Sequence, residues 1–561
     1  MNEEIDIEEW APGFVILITL GGGALRLLLL GTKGMWLDET FSVWMASHSL
    51  PDLLHWVVKI DQHPPLYYFL LHYWITLTGD TAYDVRLFSA FFGTATIPII
   101  YLIGKRMSGV VMGLAAAIIL ALSPFHIYFA QETRMYTLLT FNAAVAIYAL
   151  VRLLTDARSA APVGSQLRDY LHTRGGAEAP PPHADDDFRY VVSPQHGWRA
   201  WVARQRWAPI RAIETDLAWL VFVLFSTATM LTHNTALFFP FAVNVFVLGL
   251  MLNSYVLMGR RIRRPSLQPP TFTNWVKAQI GVFLLWSPWL FFFIEQARAV
   301  AQRFWIPEPT WDAVLQVLRA FLNASAPMPA GQSTVIWGLY VLVLGLGVVH
   351  FRRKLSHFLF LAVLFAAPFL GELLVSLRRP IFYDRTLIWT TIPLFLLLAA
   401  GVAQLRNRFL VIAVVGILGA INLFSVGDYY RFYQKEDWNT PAGYVANFAE
   451  PGDLVLFNSN FVVIPFGYYF EEYEELYSIQ VTKQGLPRDL VADGVLEPQM
   501  TELDIPRLIS LLRGHDRVWL VYSHDAYTDP EGLIPQTLAA QMELTRTRDF
   551  YGGQVQLYET P

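Results

Sequence analysis

The sequence predicts an α-helical polytopic membrane protein, with about 11 transmembrane helices and a small soluble α/β domain at its C-terminal end. Three observations predict it. Of 561 residues, 54% are hydrophobic and 16% charged, with a mean hydropathy of +0.37. The apolar residues gather into blocks such as 236–258 and 386–404, long enough to cross a bilayer as helices. Charge is partitioned as well: from Gly427 onward there are 21 acidic and 9 basic residues, against 25 and 32 before it.

This composition excludes a soluble enzyme. With no cysteine, it also excludes disulfides, thiol nucleophiles and thiolate metal sites. His-and-carboxylate metal sites stay open. Nucleic acid is excluded as a partner, because the basic charge belongs to the apolar body rather than to a cluster on an accessible domain.

In chain order the apolar blocks fall near 14–30, 88–104, 109–125, 135–154, 217–232, 236–258, 277–294, 333–350, 356–376, 386–404 and 408–426. Block 64–78 is short and flanked by Pro64 and Pro65, which predicts an interfacial helix rather than a span. With that assignment, four basic loops share one side: Lys105/Arg106, Arg260/Arg261/Arg263/Arg264, Arg352/Arg353/Lys354 and Arg406/Arg408. The positive-inside rule makes that side cytoplasmic, giving an N-in/C-out chain. The acidic first ten residues give this orientation no support, but acidic residues weigh little in the rule. They also do not make a cleavable signal peptide, so the first span is expected to remain as an anchor.

Three segments lie outside the lipid on this reading. Residues 31–87 form the first outer loop, and 155–216 a cytoplasmic insert with a disordered-looking Pro/Ala/Asp stretch. The Trp/Arg run from Trp198 to Trp207 is expected on the inner leaflet. Residues 431–561 form the soluble domain, with strands at Asp453–Phe457 and Arg517–Tyr522, each preceded by a helical stretch at 441–449 and 504–513.

Residues capable of chemistry collect at the outer face. Trp36-Leu37-Asp38-Glu39 follows the first span closely, and a carboxylate there suits a general base shielded from bulk water. A helix N-cap at Asp38, with Glu39 in the first turn, explains the same pair. In Asp61-Gln62-His63-Pro64-Pro65, the prolines start the short helix and leave His63 at its N-terminal end. Arg26 closes the first span, Arg134 follows Glu132 before the fourth, and Arg385 follows Tyr383-Asp384 before the tenth. Outer arginines run against the charge bias and suit bidentate phosphate binding, although any terminal arginine can also snorkel. His233 stands in a short outer turn, where it faces a cavity or caps a loop.

Other signals are discounted. Asp185-Asp186-Asp187 reads as a solvated charge run, Gly21-Gly22-Gly23 as a site of close helix packing, and Asn323-Ala324-Ser325 as a glycosylation acceptor of low specificity.

The Trp-x-Asp-Glu after the first span, the His-Pro-Pro-Leu at 63–66 and the Arg-led Arg86-Leu87-Phe88-Ser89-Ala90 form an ordered series. It continues through Ser123-Pro124, Gln131-Glu132-Thr133-Arg134-Met135-Tyr136 and Tyr383-Asp384-Arg385. This series resembles the polytopic GT-C glycosyltransferases, namely the family 39 set akin to protein O-mannosyltransferases and lipid A aminoarabinose transferases, with their bacterial relatives. The resemblance covers roughly residues 10–430 and is most specific at 36–66. It implies a GT-C-like transmembrane domain over 1–430 in the cell (inner) membrane, with its active site on the extracytoplasmic face.

The implied activity is transfer of a sugar from a polyprenyl-phosphate donor to a glycolipid, polysaccharide or protein acceptor. By resemblance Asp38 is the catalytic base and Glu39 the second acidic position. Arg134, Arg385, Arg26 and His63 are then expected at the donor phosphate, with His233, Tyr383 and Glu132 as further cavity residues. No cofactor is required; a divalent metal is compatible with this reading but not indicated by it. Residues 295–332 are too few for the folded outer domain of protein O-mannosyltransferases, which weakens protein as the acceptor. Two other readings compete, a flippase of lipid-linked sugars and a non-catalytic scaffold. The flippase predicts midplane charges and inverted repeats, and neither is visible. The scaffold predicts a replaceable Asp38.

Overall fold

The computed structural model describes residues 7–61, 63–156, 197–257, 266–300, 309–323 and 330–561. Most of the 155–216 insert lies outside the described residues, including Asp185–Asp187. So do the basic loop Arg260–Arg264 and the Ala324-Ser325 half of the glycosylation motif.

Among the described residues nine helices are long and apolar enough to cross a membrane. Val110–Ala121 and Pro124–Ala130 add a tenth if that bent pair is one span, and Thr334–His350 is a shorter apolar helix. Every apolar block of the sequence falls on one of these helices. The third block is not continuous, because its two helices meet at an angle of 56°. The break has a local cause. Pro124 cannot donate a backbone hydrogen bond, and Ser123 restarts the helix by accepting from the His126 amide.

Eight helices precede the insert. They are α1 (Ile7–Leu27), α2 (Leu37–Ser47), α3 (Leu50–Lys59), α4 (Leu66–Thr78), α5 (Ala82–Ser108), α6 (Val110–Ala121), α7 (Pro124–Ala130) and α8 (Tyr136–Thr155). Helix α4 has 13 residues, about 20 Å at ~1.5 Å per residue, too short to span. Its Tyr67, Tyr68 and Leu71 are buried. Small residues let the long helices approach. A Cβ on Gly22 would lie 2.6 Å from Ile97 of α5 and one on Gly23 3.1 Å from Thr94, whereas Gly21 faces open space. Likewise a Cβ on Gly401 would overlap the Val343 carbonyl, so Thr391–Gln404 packs directly on Ala330–His350.

The C-terminal part carries five strands: β1 (Leu454–Asn458), β2 (Thr482–Gly485), β3 (Arg517–Tyr522), β4 (Glu543–Phe550) and β5 (Gly553–Glu559). Their order is β2-β1-β3-β5-β4, with β1 parallel to β2 and β3, and β5 antiparallel to β3 and β4. Helices Asn439–Phe448 and Ile505–Leu512 precede β1 and β3 as expected. The sheet domain is fastened to the helical body. Met35 donates its amide hydrogen to Tyr469 Oη at 2.6 Å, and Tyr468 donates to the Asp80 carbonyl at 3.0 Å.

Candidate active site

Helix α2 starts two residues earlier than a cap at Asp38 would put it, so Asp38 is not its cap. Trp36 holds the N-cap position with extended backbone and no side-chain cap, which puts Asp38 and Glu39 second and third in the helix. Successive residues of a helix are turned by about 100°. The two carboxylates therefore point in different directions, into different surroundings.

Glu39 points into the protein and is fully buried. Arg86 of α5 binds it with both arms, Nε to Oε1 at 2.8 Å and Nη2 to Oε2 at 2.7 Å. Lys435 Nζ lies 2.8 Å from Oε2, and the Thr133 amide donates to Oε1 at 2.9 Å. Burial disfavours the Glu39 charge, but Arg86 and Lys435 outweigh it and hold the carboxyl at about 2. Arg86 also donates to the carbonyls of Leu30, Lys33 and Gly34, fixing the chain between α1 and α2. Glu132 lies beside Lys435 at 3.5 Å, and burial raises its pKa.

Asp38 points instead into a cavity of about 420 Å³ at one end of the helical body. Its Oδ2 accepts a hydrogen bond from Arg385 Nη1 at 3.0 Å and lies 3.8 Å from Arg134 Nε. Arg134 is itself anchored, donating to the Asp38 carbonyl at 3.2 Å and to Ser42 Oγ at 3.3 Å. Arg385 packs over the rings of Tyr383 and Tyr136, at 5.0 and 5.9 Å. Burial opposes the Asp38 charge, while Arg134, Arg385 and His63 favour it and leave the carboxyl below its usual value.

Two histidines complete this wall. His63 Nδ1 is 2.9 Å from Asp61 Oδ1, and its ring meets that of His233 edge-on at 4.9 Å. The Thr235 amide donates to His233 Nδ1 at 3.2 Å, so the neutral ring carries its proton on Nε2. Burial, then His63 and the two arginines, push the His233 pKa well below the ordinary value. Gln296 braces the loop beneath by donating to the carbonyls of Val57 and Asp61, at 3.2 and 3.0 Å.

The structure thus brings Asp38, His63, Arg134, His233 and Arg385 to one cavity. It does not bring Glu39, Glu132, Arg26 or Tyr383 into the lining. Arg26 is buried between helices, donating to the carbonyls of Gly22, Ala121 and Leu120 at 2.9–3.1 Å. Tyr383 stacks on Arg385 from outside the cavity. Arg379, another arginine of the outer turn before the tenth span, also lines it, and lining residues not foreseen include Tyr136, Asn234 and Gln296 from the helical body, with Phe461, Leu496 and Glu497 from the sheet domain. Among the described residues no three His, Asp or Glu side chains are grouped to hold a metal ion.

Comparison with known proteins agrees with this architecture. The family described as dolichyl-phosphate-mannose-protein mannosyltransferase matches residues 62–164. No curated protein matches the chain in sequence. Among solved structures, apo ArnT from Cupriavidus metallidurans aligns at 12% identity with a TM-score of 0.55, over 98% of both chains. The same protein bound to undecaprenyl phosphate aligns at 11% identity and 0.51, over 97% of this chain and 98% of that one. The oligosaccharyltransferase AglB from Archaeoglobus fulgidus, in complex with an inhibitory peptide and a dolichol-phosphate, aligns at 9% identity and 0.51. That alignment covers 98% of this chain and 74% of AglB. With the mannosyltransferase family matched over 62–164 and the helical architecture shared end to end, the chain is a multi-pass membrane protein of GT-C fold.

Proposed function

We propose that the protein transfers a sugar from a polyprenyl-phosphate donor to a hydroxyl group of an extracytoplasmic acceptor, with Asp38 as general base. The observation that carries this reading is the Asp38–Arg385 contact of 3.0 Å, a carboxylate and a guanidinium sharing one cavity wall with Arg134. A lipid phosphate is a stable leaving group. The site must therefore align two substrates and neutralise the departing charge more than it must do covalent chemistry. Arg385 and Arg134 are suited to the phosphate, with His63 beside them. Undecaprenyl phosphate bound to ArnT and dolichol-phosphate bound to AglB support a lipid-linked donor here.

The resting contact also suggests how the base is switched on. In the free protein Asp38 is paired with Arg385 and is a weak base. A donor phosphate that takes over the guanidinium removes that partner and raises the proton affinity of Asp38. The acceptor O–H then gives its proton to Asp38 as its oxygen forms a bond to the anomeric carbon. The bond from that carbon to the phosphate oxygen breaks, and polyprenyl phosphate leaves. A single displacement of this kind inverts the anomeric centre.

Glu39 takes a structural part on this reading, since it anchors the first turn of α2 from behind. Residues 1–430 are the transferase body and 431–561 an extracytoplasmic domain. The N-terminus is cytoplasmic, the host membrane is the cell membrane, and the acceptor is a glycolipid, envelope glycan or protein.

The test is an in-membrane transfer assay of wild type against Asp38→Asn, with polyprenyl-phosphate-linked hexose and pentose donors. Asn keeps the shape and removes the base, so transfer should fall by about 10²–10⁴-fold at unchanged expression. A mutant as active as wild type would end the assignment of Asp38.

A further inference from the structure

The sheet domain contributes an acidic side chain to the same cavity. Glu497 lines it together with its neighbour Leu496, and Phe461 lies alongside. Glu497 is half-buried, and among the described residues its carboxylate has no hydrogen bond or ion pair. Its backbone is left-handed, with φ +54, although it is not glycine and precedes Pro498. Such a conformation is costly and persists where the surroundings impose it.

Those surroundings are well defined. Asn460 donates to the carbonyls of Arg488 and Val495, at 3.0 and 2.7 Å, which fixes the approach to Glu497. The next residue, Leu496, packs into the apolar core shared with the membrane helices. Gly494, with φ +63, lies beside the flexible end of the Lys59 side chain from the last turn of α3. The strap 494–497 is thus pinned over the first outer loop, with Glu497 turned inward.

Charge tells which end of the cavity Glu497 serves. Burial is the main influence on it and Asp38 the next, together pushing its carboxyl up to about 7; neither Arg134 nor Arg385 figures beside them. Asp38 is paired with Arg385 and lies near Arg134, whereas Glu497, lining the same cavity, has no cation partner among the described residues. A phosphate suits the two arginines and is repelled from Glu497. A neutral group rich in hydroxyls suits Glu497, because a carboxyl near half-ionisation can accept one hydrogen bond and donate another.

Building on the transferase reading above, we infer that Glu497 is an acceptor-binding residue, hydrogen-bonded to a sugar hydroxyl of the incoming glycan. The sheet domain then takes part in choosing the acceptor, and the arginine end in holding the donor.

The test uses the full-length protein in nanodiscs with undecaprenyl-phosphate-linked hexose, octyl glucoside as probe acceptor, and water as the competing one. In Glu497→Gln, KM for octyl glucoside should rise by about 10-fold or more while kcat and donor hydrolysis stay near wild type. Glu497→Asp should fall between the two. An unchanged KM would overturn the inference. So would a parallel loss of hydrolysis and transfer, or a wild type that uses octyl glucoside no better than water. Failure of the underlying reading shows elsewhere, as donor hydrolysis that survives Asp38→Asn or is missing from wild type.

Discussion

Lys435, three residues past the last membrane helix, lies 2.8 Å from Glu39, the residue next to Asp38. The two are separated by most of the chain, yet both are almost wholly buried. The contact joins the start of the sheet domain to the first turn of α2, so Asp38 is steadied by a residue outside the helical body.

Removing that cation should loosen the whole assembly. Lys435→Met leaves Glu39 with Arg86 but takes from buried Glu132 its one ion-pair partner among the described residues. A loss of about 1–3 kcal/mol is expected, seen as a lower Tm in detergent. Adding Glu132→Gln should recover much of it, because the uncompensated carboxyl is then gone.

Phosphate binding should discriminate among the arginines. Arg385→Ala should weaken undecaprenyl phosphate binding by about 10-fold or more, and Arg385→Lys should recover only part of it, since one ammonium cannot replace a planar fork. Arg26→Lys should leave the same Kd unchanged, because Arg26 is tied to carbonyls away from the cavity. Titration of the lipid by native mass spectrometry gives all four values.

Glu497 should make stability depend on pH near neutrality. Its carboxyl is raised from 4.5 to about 7 in the folded protein, so the fold favours the protonated form. That advantage is complete below 4.5 and is lost as pH climbs through about 7. Asp38 works in the opposite sense: its lowered carboxyl stabilises at neutral pH and ceases to do so in acid. Tm measured from pH 5 to 8 should therefore decline in wild type, and the decline should be shallower in Glu497→Gln.

Close packing between helices should tolerate little added bulk. In Gly401→Leu the new side chain would collide with the Val343 carbonyl, and no rotamer relieves a clash at Cβ. The variant should fail to accumulate in membranes, whereas Gly21→Leu, facing open space, should accumulate normally. Quantitative immunoblotting of membrane fractions decides it.

Much of this architecture is legible in the sequence. The apolar blocks marked the helices because each is long and nearly free of charge, and the outer arginines stood out against the basic loops. What a linear reading misses is direction. Asp38 and Glu39 look alike in sequence, but one turn of about 100° sends one to the cavity and the other to Arg86. Gln296 and Glu497 carry no local signal, since only tertiary packing brings them to the site. Strand β4, Glu543–Phe550, is polar and almost wholly exposed at the sheet edge, so no apolar run announces it. The bend at Ser123-Pro124 was written in the sequence as a cap and a proline, inside a block whose hydropathy is continuous.

The cavity draws its walls from both ends of the polypeptide, and this sets a schedule for its assembly. A ribosome making ~5–20 residues per second needs about 20–90 s to pass from Asp38 to Glu497. Only after Arg385 is made, for the last 112 residues and about 6–22 s of that interval, does the nascent chain hold Asp38 and both arginines with one wall still unmade. A message truncated before codon 490 would leave every apolar block intact and deliver a cavity without its Leu496–Glu497 wall.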